Sequence, residues 1–132
     1  AQAFLAAGAA VTLTSEHPLD SLREVQRLLS DYPAARYTRA DLLADGEPER
    51  LVADAWDGMG GVDVLVNNVG TYKEPPLGEL TRRHFDFIFR LNVWVGLALT
   101  REVVRRAAAA RRGGRILFTT SLNATRSEPL HT

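Results

Sequence analysis

The sequence predicts an α/β fold, a doubly wound parallel sheet with helices on both faces. Three observations carry this. Short apolar, β-branched runs alternate with amphipathic helical stretches along all 132 residues, a pattern that calls for βαβ crossovers. The clearest runs, "VLV" within 62–68 and "ILF" within 115–120, are continuous rather than alternating, as in strands buried on both faces. Neither a repeat, a low-complexity tract nor a linker breaks the alternation, and this length holds one domain at most.

Each element has its own signal. "AQAFLAAGA" reads as a helix tail released at Gly8. "AVTLT" (10–14) is a strand candidate. Residues 20–32 space Leu22, Val25, Leu28 and Leu29 at helical intervals, with Asp20 or Ser21 as the N-cap. "ARYTRAD" is a weaker strand ending at Asp41. Residues 47–60 form a helix with Pro48 in the first turn and Gly58 or Gly60 past the end. "VDVLVNN" is the best-marked strand, and "TYKEPPLGEL" is a loop stiffened by Pro75 and Pro76. A long helical region from about Thr81 to Arg112 puts Phe85, Ile88, Phe89, Val93, Leu97, Val104 and Ala108 near one face. Gly113 and Gly114 stop it, Arg111 and Arg112 suit its negative end, and "RILFTT" is the last strand.

Composition excludes several function classes. Sixteen basic and sixteen acidic residues balance, so charge points to no nucleic-acid or membrane-surface partner. The absence of cysteine removes disulfides and thiol chemistry, and His17, His84 and His131 show no metal-ligand spacing, so no metal is expected. No apolar run approaches the ~20 residues of a membrane span, and no export signal is present; the expectation is a cytoplasmic protein. The chain opens inside a helix and closes after a strand and loop, which favours a fragment.

In a doubly wound sheet, ligands bind beyond the carboxyl ends of the strands. There the run "VLV" breaks into Asn67, Asn68 and Gly70. Neutral amides satisfy backbone groups in dry places where a carboxylate is costly, although Asn and Gly are also common turn formers. Asn92 falls inside a helix, where asparagine has modest propensity. Thr119, Thr120 and Ser121 fall at the carboxyl edge of the last strand.

The set "NNVG", "LNVWVG" and "GGRILFTTS", in this order and spacing, resembles the short-chain dehydrogenases/reductases over essentially the whole chain. The resemblance implies a Rossmann-like sheet and one partial dinucleotide-binding domain over residues 1–132. It implies that Asn68, Val69 and Gly70 line the adenosine ribose with backbone, Val69 replacing the usual alanine. Asn92 matches the active-site asparagine, whose backbone carbonyl, in a local helix irregularity, holds a water of the proton relay. Ser121 matches the catalytic serine that orients the substrate oxygen. Asp41 faces the adenine amino group, with Leu42 beside it. Leu122 and Asn123, together with Tyr72 and Pro75, are substrate-pocket candidates. Val93, Trp94, Leu97 and Val104 fall on a helix that is a common subunit interface, so a homotetramer is expected. Trp56 and Trp94 are read as core or interface, and His84 as a surface or packing residue.

Two parts of the family pattern are not in these 132 residues: the glycine-rich turn ahead of the first helix, and the Tyr-x-x-x-Lys pair that follows the serine. In the family's 3-2-1-4-5 sheet order, a strand would lie between "AVTLT" and "VDVLVNN". These two strands are therefore expected either to stand apart or to pair in a register foreign to the family. The implied function is interconversion of a carbonyl and an alcohol by hydride transfer with NAD or NADP, for example as a 3-oxoacyl-thioester or other ketone reductase. Cofactor choice is set after the second strand of that order, where Ser15 stands with Glu16 next. Serine removes the repulsion of a 2′-phosphate, yet no arginine is obvious, and the balance leans toward NADP. The alternatives are a non-catalytic dinucleotide-binding or regulatory domain, which would not need both Asn92 and Ser121, and a flavodoxin-like or receiver domain, which would want an early acidic cluster or phosphate loop.

Overall fold

A computed structural model describes residues 1–72 and 75–121. The chain divides into two compact units, Ala1–Val62 and Asp63–Thr132.

The first unit carries α1 (Gln2–Ala6), β1 (Val11–Ser15), a 3₁₀ turn (Leu19–Ser21), α2 (Arg23–Asp31), β2 (Ala35–Arg39) and α3 (Glu47–Met59). Helix α1 closes through the amide of Gly8, at φ +85°, on the Leu5 carbonyl at 3.0 Å. Gly60 ends α3 in the same left-handed region, at φ +71°. Strands β1 and β2 pair in parallel, from Val11 opposite Ala35 to Ser15 opposite Arg39. Leu5, Ala35, Ala40, Leu42, Leu51 and Val52 are buried. The expected N-cap is corrected: neither Asp20 nor Ser21 caps α2, whose N-cap is Leu22 without a side-chain bond. The Ser21 hydroxyl instead donates to the Pro18 carbonyl at 2.7 Å, inside a 3₁₀ turn that comes before the helix and uses up the capping side chain.

The second unit carries β3 (Val64–Asn67), a 3₁₀ turn (Leu77–Glu79), α4 (Arg82–Phe89), a π turn (Arg90–Trp94), α5 (Val95–Ala109) and β4 (Arg115–Phe118). Strands β3 and β4 pair in parallel, from Val64 opposite Arg115 to Asn67 opposite Phe118. Helix α4 opens with a capping box. Thr81 Oγ1 accepts from the His84 amide and His84 Nδ1 accepts from the Thr81 amide, both at 3.3 Å. His84 is thus a helix cap, in keeping with a structural role.

The apolar face drawn through Phe85, Phe89, Val93, Leu97 and Val104 is exposed, and α5 carries a separate buried stripe of Val95, Ala98, Leu99, Glu102 and Val103. Helix α5 is apolar on two sides, so periodicity alone cannot rank them; the side bearing Gly96 is the one that packs. One expectation is changed: β3 and β4 are not buried on both faces, because Val64 and Val66 of β3 and all four residues of β4 are exposed. Among the described residues, β1 with β2 and β3 with β4 each form a two-stranded ladder.

Candidate functional site

The polar residues singled out by sequence fall in two groups, one in each unit, at the carboxyl ends of the strands and, for Asn92, in the π turn between α4 and α5.

In the second unit the ladder runs one step past its strands, the Thr119 amide donating to the Asn67 carbonyl at 2.9 Å. Asn67 is 8 % exposed. Its Nδ2 donates to Thr100 Oγ1 of α5 at 3.3 Å, while its Oδ1 is buried without a partner among the described residues. A neutral amide thus ties the strand end to the helix. Gly96 makes the approach possible, because a Cβ there would meet Phe118 Cε1 at 2.7 Å and Asn67 Cγ at 3.5 Å.

Asn68, Val69 and Gly70 follow, all exposed. Asn92 sits in the middle of the π turn, a helix irregularity that recurs at functional sites. Both ends of its side chain are engaged by one backbone residue. The Thr71 amide donates to Asn92 Oδ1 and Asn92 Nδ2 donates to the Thr71 carbonyl, each at 2.8 Å. A Cβ on Gly70 would come within 3.3 Å of Asn92 Oδ1. The asparagine therefore clamps the loop after β3 to the turn between α4 and α5. These two bonds use one Nδ2 donor and one Oδ1 lone pair of Asn92 and fix the orientation of its side chain. The hollow bounded by Asn67, Val69, Asn92, Gly96, Phe118 and Thr119 is about 20 Å³, far below the ~300 Å³ of a small-molecule pocket.

Ser121 stands three positions beyond Phe118, the last residue of β4, and is exposed. Tyr72 is exposed and Pro75 is half-buried. The candidates Leu122 and Asn123 lie outside the described residues.

In the first unit the loop after β1 is held by β2. The Tyr37 hydroxyl bonds the Ser15 carbonyl at 3.1 Å and the His17 carbonyl at 2.5 Å. Arg39 Nε donates to the Glu16 carbonyl at 2.9 Å. Ser15 Oγ accepts from the His17 amide at 3.3 Å. The Glu16 carboxylate lies 3.7 Å from His17 Nε2. Arg50 of α3 donates to the Arg39 carbonyl at 3.0 Å and pairs with Glu47 and Asp54 at 2.6–2.8 Å. Asp41 is exposed and Leu42 beneath it is buried. One Asp41 oxygen accepts from the Leu43 amide at 3.1 Å, and the other has no partner among the described residues. The Asp41 carboxylate thus keeps acceptor capacity, and the carbonyls of Ser15, Glu16 and His17 are all bonded.

Sequence reasoning passed over Tyr37, Arg39 and Thr71. Their signal was positional. Tyr37 and Arg39 share a strand face two residues apart, at the carboxyl end of a strand next to the cofactor-choice loop, but the parallel register had to be known first.

A family model described as enoyl-(acyl carrier protein) reductase matches residues 1–132. The chain is similar to a sorbitol dehydrogenase of Cereibacter sphaeroides, 32 % identical over 130 residues, covering 98 % of this chain and 50 % of that protein. It is similar to a galactitol 2-dehydrogenase of Agrobacterium fabrum, 28 % identical over 132 residues, covering 100 % of this chain and 50 % of that protein. Among solved structures, a short-chain dehydrogenase from Streptomyces avermitilis superposes with a TM-score of 0.82 at 27 % identity, covering 96 % of this chain and 45 % of that one. The chain spans about half the length of the curated relatives it matches. A Rossmann-like partial sheet, the amides at the end of β3 and a model that matches from the first residue to the last agree on one assignment: the chain belongs to the short-chain dehydrogenase/reductase family.

Proposed function

We propose that residues 1–132 form one partial dinucleotide-binding domain of an NAD(P)-dependent oxidoreductase that interconverts a carbonyl and an alcohol on a small molecule. The single observation that carries this reading is Asn92. It stands in a π turn with both ends of its side chain bonded to the Thr71 backbone. An asparagine at that place builds the turn and leaves its main chain to serve a proton relay. The nicotinamide cofactor supplies the hydride chemistry. In the first unit Ser15 serves the ribose and Asp41 with Leu42 receives the adenine; in the second unit the backbone of Asn68, Val69 and Gly70 is offered to the ribose. Ser121 donates a hydrogen bond to the substrate oxygen as charge develops on it. Leu122 and Asn123, with Tyr72 and Pro75, border the substrate.

For substrate class, the similarity to a sorbitol and a galactitol dehydrogenase favours ketoses and polyols, with 3-oxoacyl thioesters and other ketones next. For cofactor, the serine at position 15 favours NADP. The exposed apolar strip through Val93, Trp94, Leu97 and Val104 favours a homo-oligomer, with a tetramer as the expected form. Among the described residues no helix is long and apolar enough to cross a membrane, in keeping with action in the cytoplasm.

The test is direct. A full-length enzyme carrying this segment is mixed with NADPH or NADH and a panel of ketoses, simple ketones and 3-oxoacyl thioesters. The expected result is oxidation of the cofactor matched mole for mole by alcohol product. Tight cofactor binding with no turnover on any ketone would instead favour a non-catalytic binding domain on the same fold.

A further inference from the structure

The sequence around Ser15 offers no arginine for a 2′-phosphate, because the nearest residues in the chain are Glu16 and His17. The fold brings one in from the neighbouring strand. Ser15 and Arg39 are the last residues of β1 and β2 and are register partners in the parallel ladder. Arg39 is exposed. It extends past Ser15, and Nε donates to the Glu16 carbonyl at 2.9 Å. That bond uses one N–H, and the remaining guanidinium donors have no protein partner among the described residues. The head group is therefore fixed at its root and open at its fork, the arrangement that suits bidentate recognition of a phosphate. Its backbone is braced in turn by Arg50, whose own charge is spent on Glu47 and Asp54. The Glu16 carboxylate, the acid that would argue for NAD, lies beside His17 Nε2 instead, at 3.7 Å.

We propose that Arg39 is the specificity-determining cation of this protein, receiving the 2′-phosphate of NADP next to the Ser15 hydroxyl. This rests on the dinucleotide reading above and adds to it the residue that makes the choice. A parallel register places the end of one strand beside the end of the next, so a residue 24 positions away in sequence serves the same ligand group. Serine at position 15 contributes by absence of charge, and Arg39 contributes the attraction.

The experiment measures binding rather than turnover. A full-length enzyme carrying this segment is titrated with NADP, NAD, 2′,5′-ADP and 5′-AMP by calorimetry, as wild type and as Arg39→Gln, Arg39→Lys and Ser15→Asp. Wild type is expected to bind NADP and 2′,5′-ADP more tightly than NAD and 5′-AMP. Arg39→Gln should weaken the two 2′-phosphorylated ligands by about 10- to 100-fold, the scale for one charged hydrogen-bonding partner, and leave NAD and 5′-AMP within about twofold. Arg39→Lys should recover part of the loss, since it keeps the charge but not the fork. Ser15→Asp should act selectively against NADP. Equal weakening of all four ligands by Arg39→Gln would mean that Arg39 only braces the Glu16 loop, and would overturn the assignment. A wild type that prefers NAD overturns the assignment but leaves the cofactor reading standing. Binding of no nucleotide at all overturns both.

Discussion

At the scale of single residues, the neutral amides divide their labour. Asn67 is the structural one, buried and tied to Thr100. Asn92 is a clamp that builds the turn around itself. Both were legible in the sequence as polar residues in places that disfavour them, but not as partners of Thr100 and Thr71, because those contacts cross 33 and 21 positions of chain. Ser121 is the residue whose proposed role can be tested most cleanly. In a full-length enzyme carrying this segment, Ser121→Ala should lower kcat by about 10²-fold or more, the scale for one hydrogen bond lost from a developing charge. Cofactor affinity measured by titration should be unchanged, because the hydroxyl serves the substrate. Turnover within a factor of two of wild type would remove Ser121 from the mechanism.

At the scale of elements, α5 is placed by Gly96 and closed by Glu102. An added methyl at Gly96 would sit 2.7 Å from the Phe118 ring. That ring is partly exposed and can turn aside, so Gly96→Ala should cost about 1 kcal/mol, the lower end for overpacking. In an enzyme of the length of its relatives this is a fall in Tm of roughly 2–4 °C, readable by calorimetry. An unchanged Tm would show that the strain at Phe118 does not exceed the ~1 kcal/mol that alanine gains over glycine in a helix. Glu102 is a buried carboxylate gripped by Arg105 at 2.6–2.7 Å and by Arg106 at 2.7 Å. The hydrogen bonds from Arg105 first, then Arg106, hold its pKa down to about 2 against the opposing effect of burial. A carboxyl depressed on folding stabilises the fold fully above its ordinary value of 4.5 and loses that contribution as pH falls toward about 2. In a full-length enzyme carrying this segment, the stability gap between wild type and Glu102→Gln, measured by urea unfolding, should therefore be constant above pH 4.5 and shrink below it. A gap independent of pH would show that the arginines contribute by packing rather than charge.

At the scale of the whole chain, each ladder has two strands, and two-stranded sheets are marginal by themselves. The ladder β3–β4 shows Val66, Leu117 and Phe118 at 46–48 % exposure, and the helical segments add Phe89 and Trp94 at 53 %. The Arg101 guanidinium lies over the Trp94 ring, 6.0 Å from its centre. Unpaired strand edges beside apolar surface favour association, and a domain has only ~5–15 kcal/mol in reserve. The 132-residue polypeptide by itself should bind a hydrophobic dye, melt without a cooperative transition or aggregate, and show no nicotinamide-dependent turnover. A soluble monomer with a sharp thermal transition and dispersed amide signals would show that the two ladders need no further strands.

Local pattern and residue chemistry were enough for much of this protein. Strand and helix order follows from periods of hydrophobicity. The end of α3 is narrowed to Gly58 or Gly60, and the family follows from three short motifs whose order survives in the sequence. None of these requires knowing what touches what. Register and packing decided the rest. Which apolar side of α5 is buried depends on the missing Cβ of Gly96 meeting the Phe118 ring. The failure of Asp20 and Ser21 to cap α2 depends on a turn that captures Ser21 first. The arginine beside Ser15 depends on β1 and β2 lying parallel with their carboxyl ends aligned. In each case the interacting groups are distant in sequence or compete for one position, and only the three-dimensional arrangement sets which contact forms.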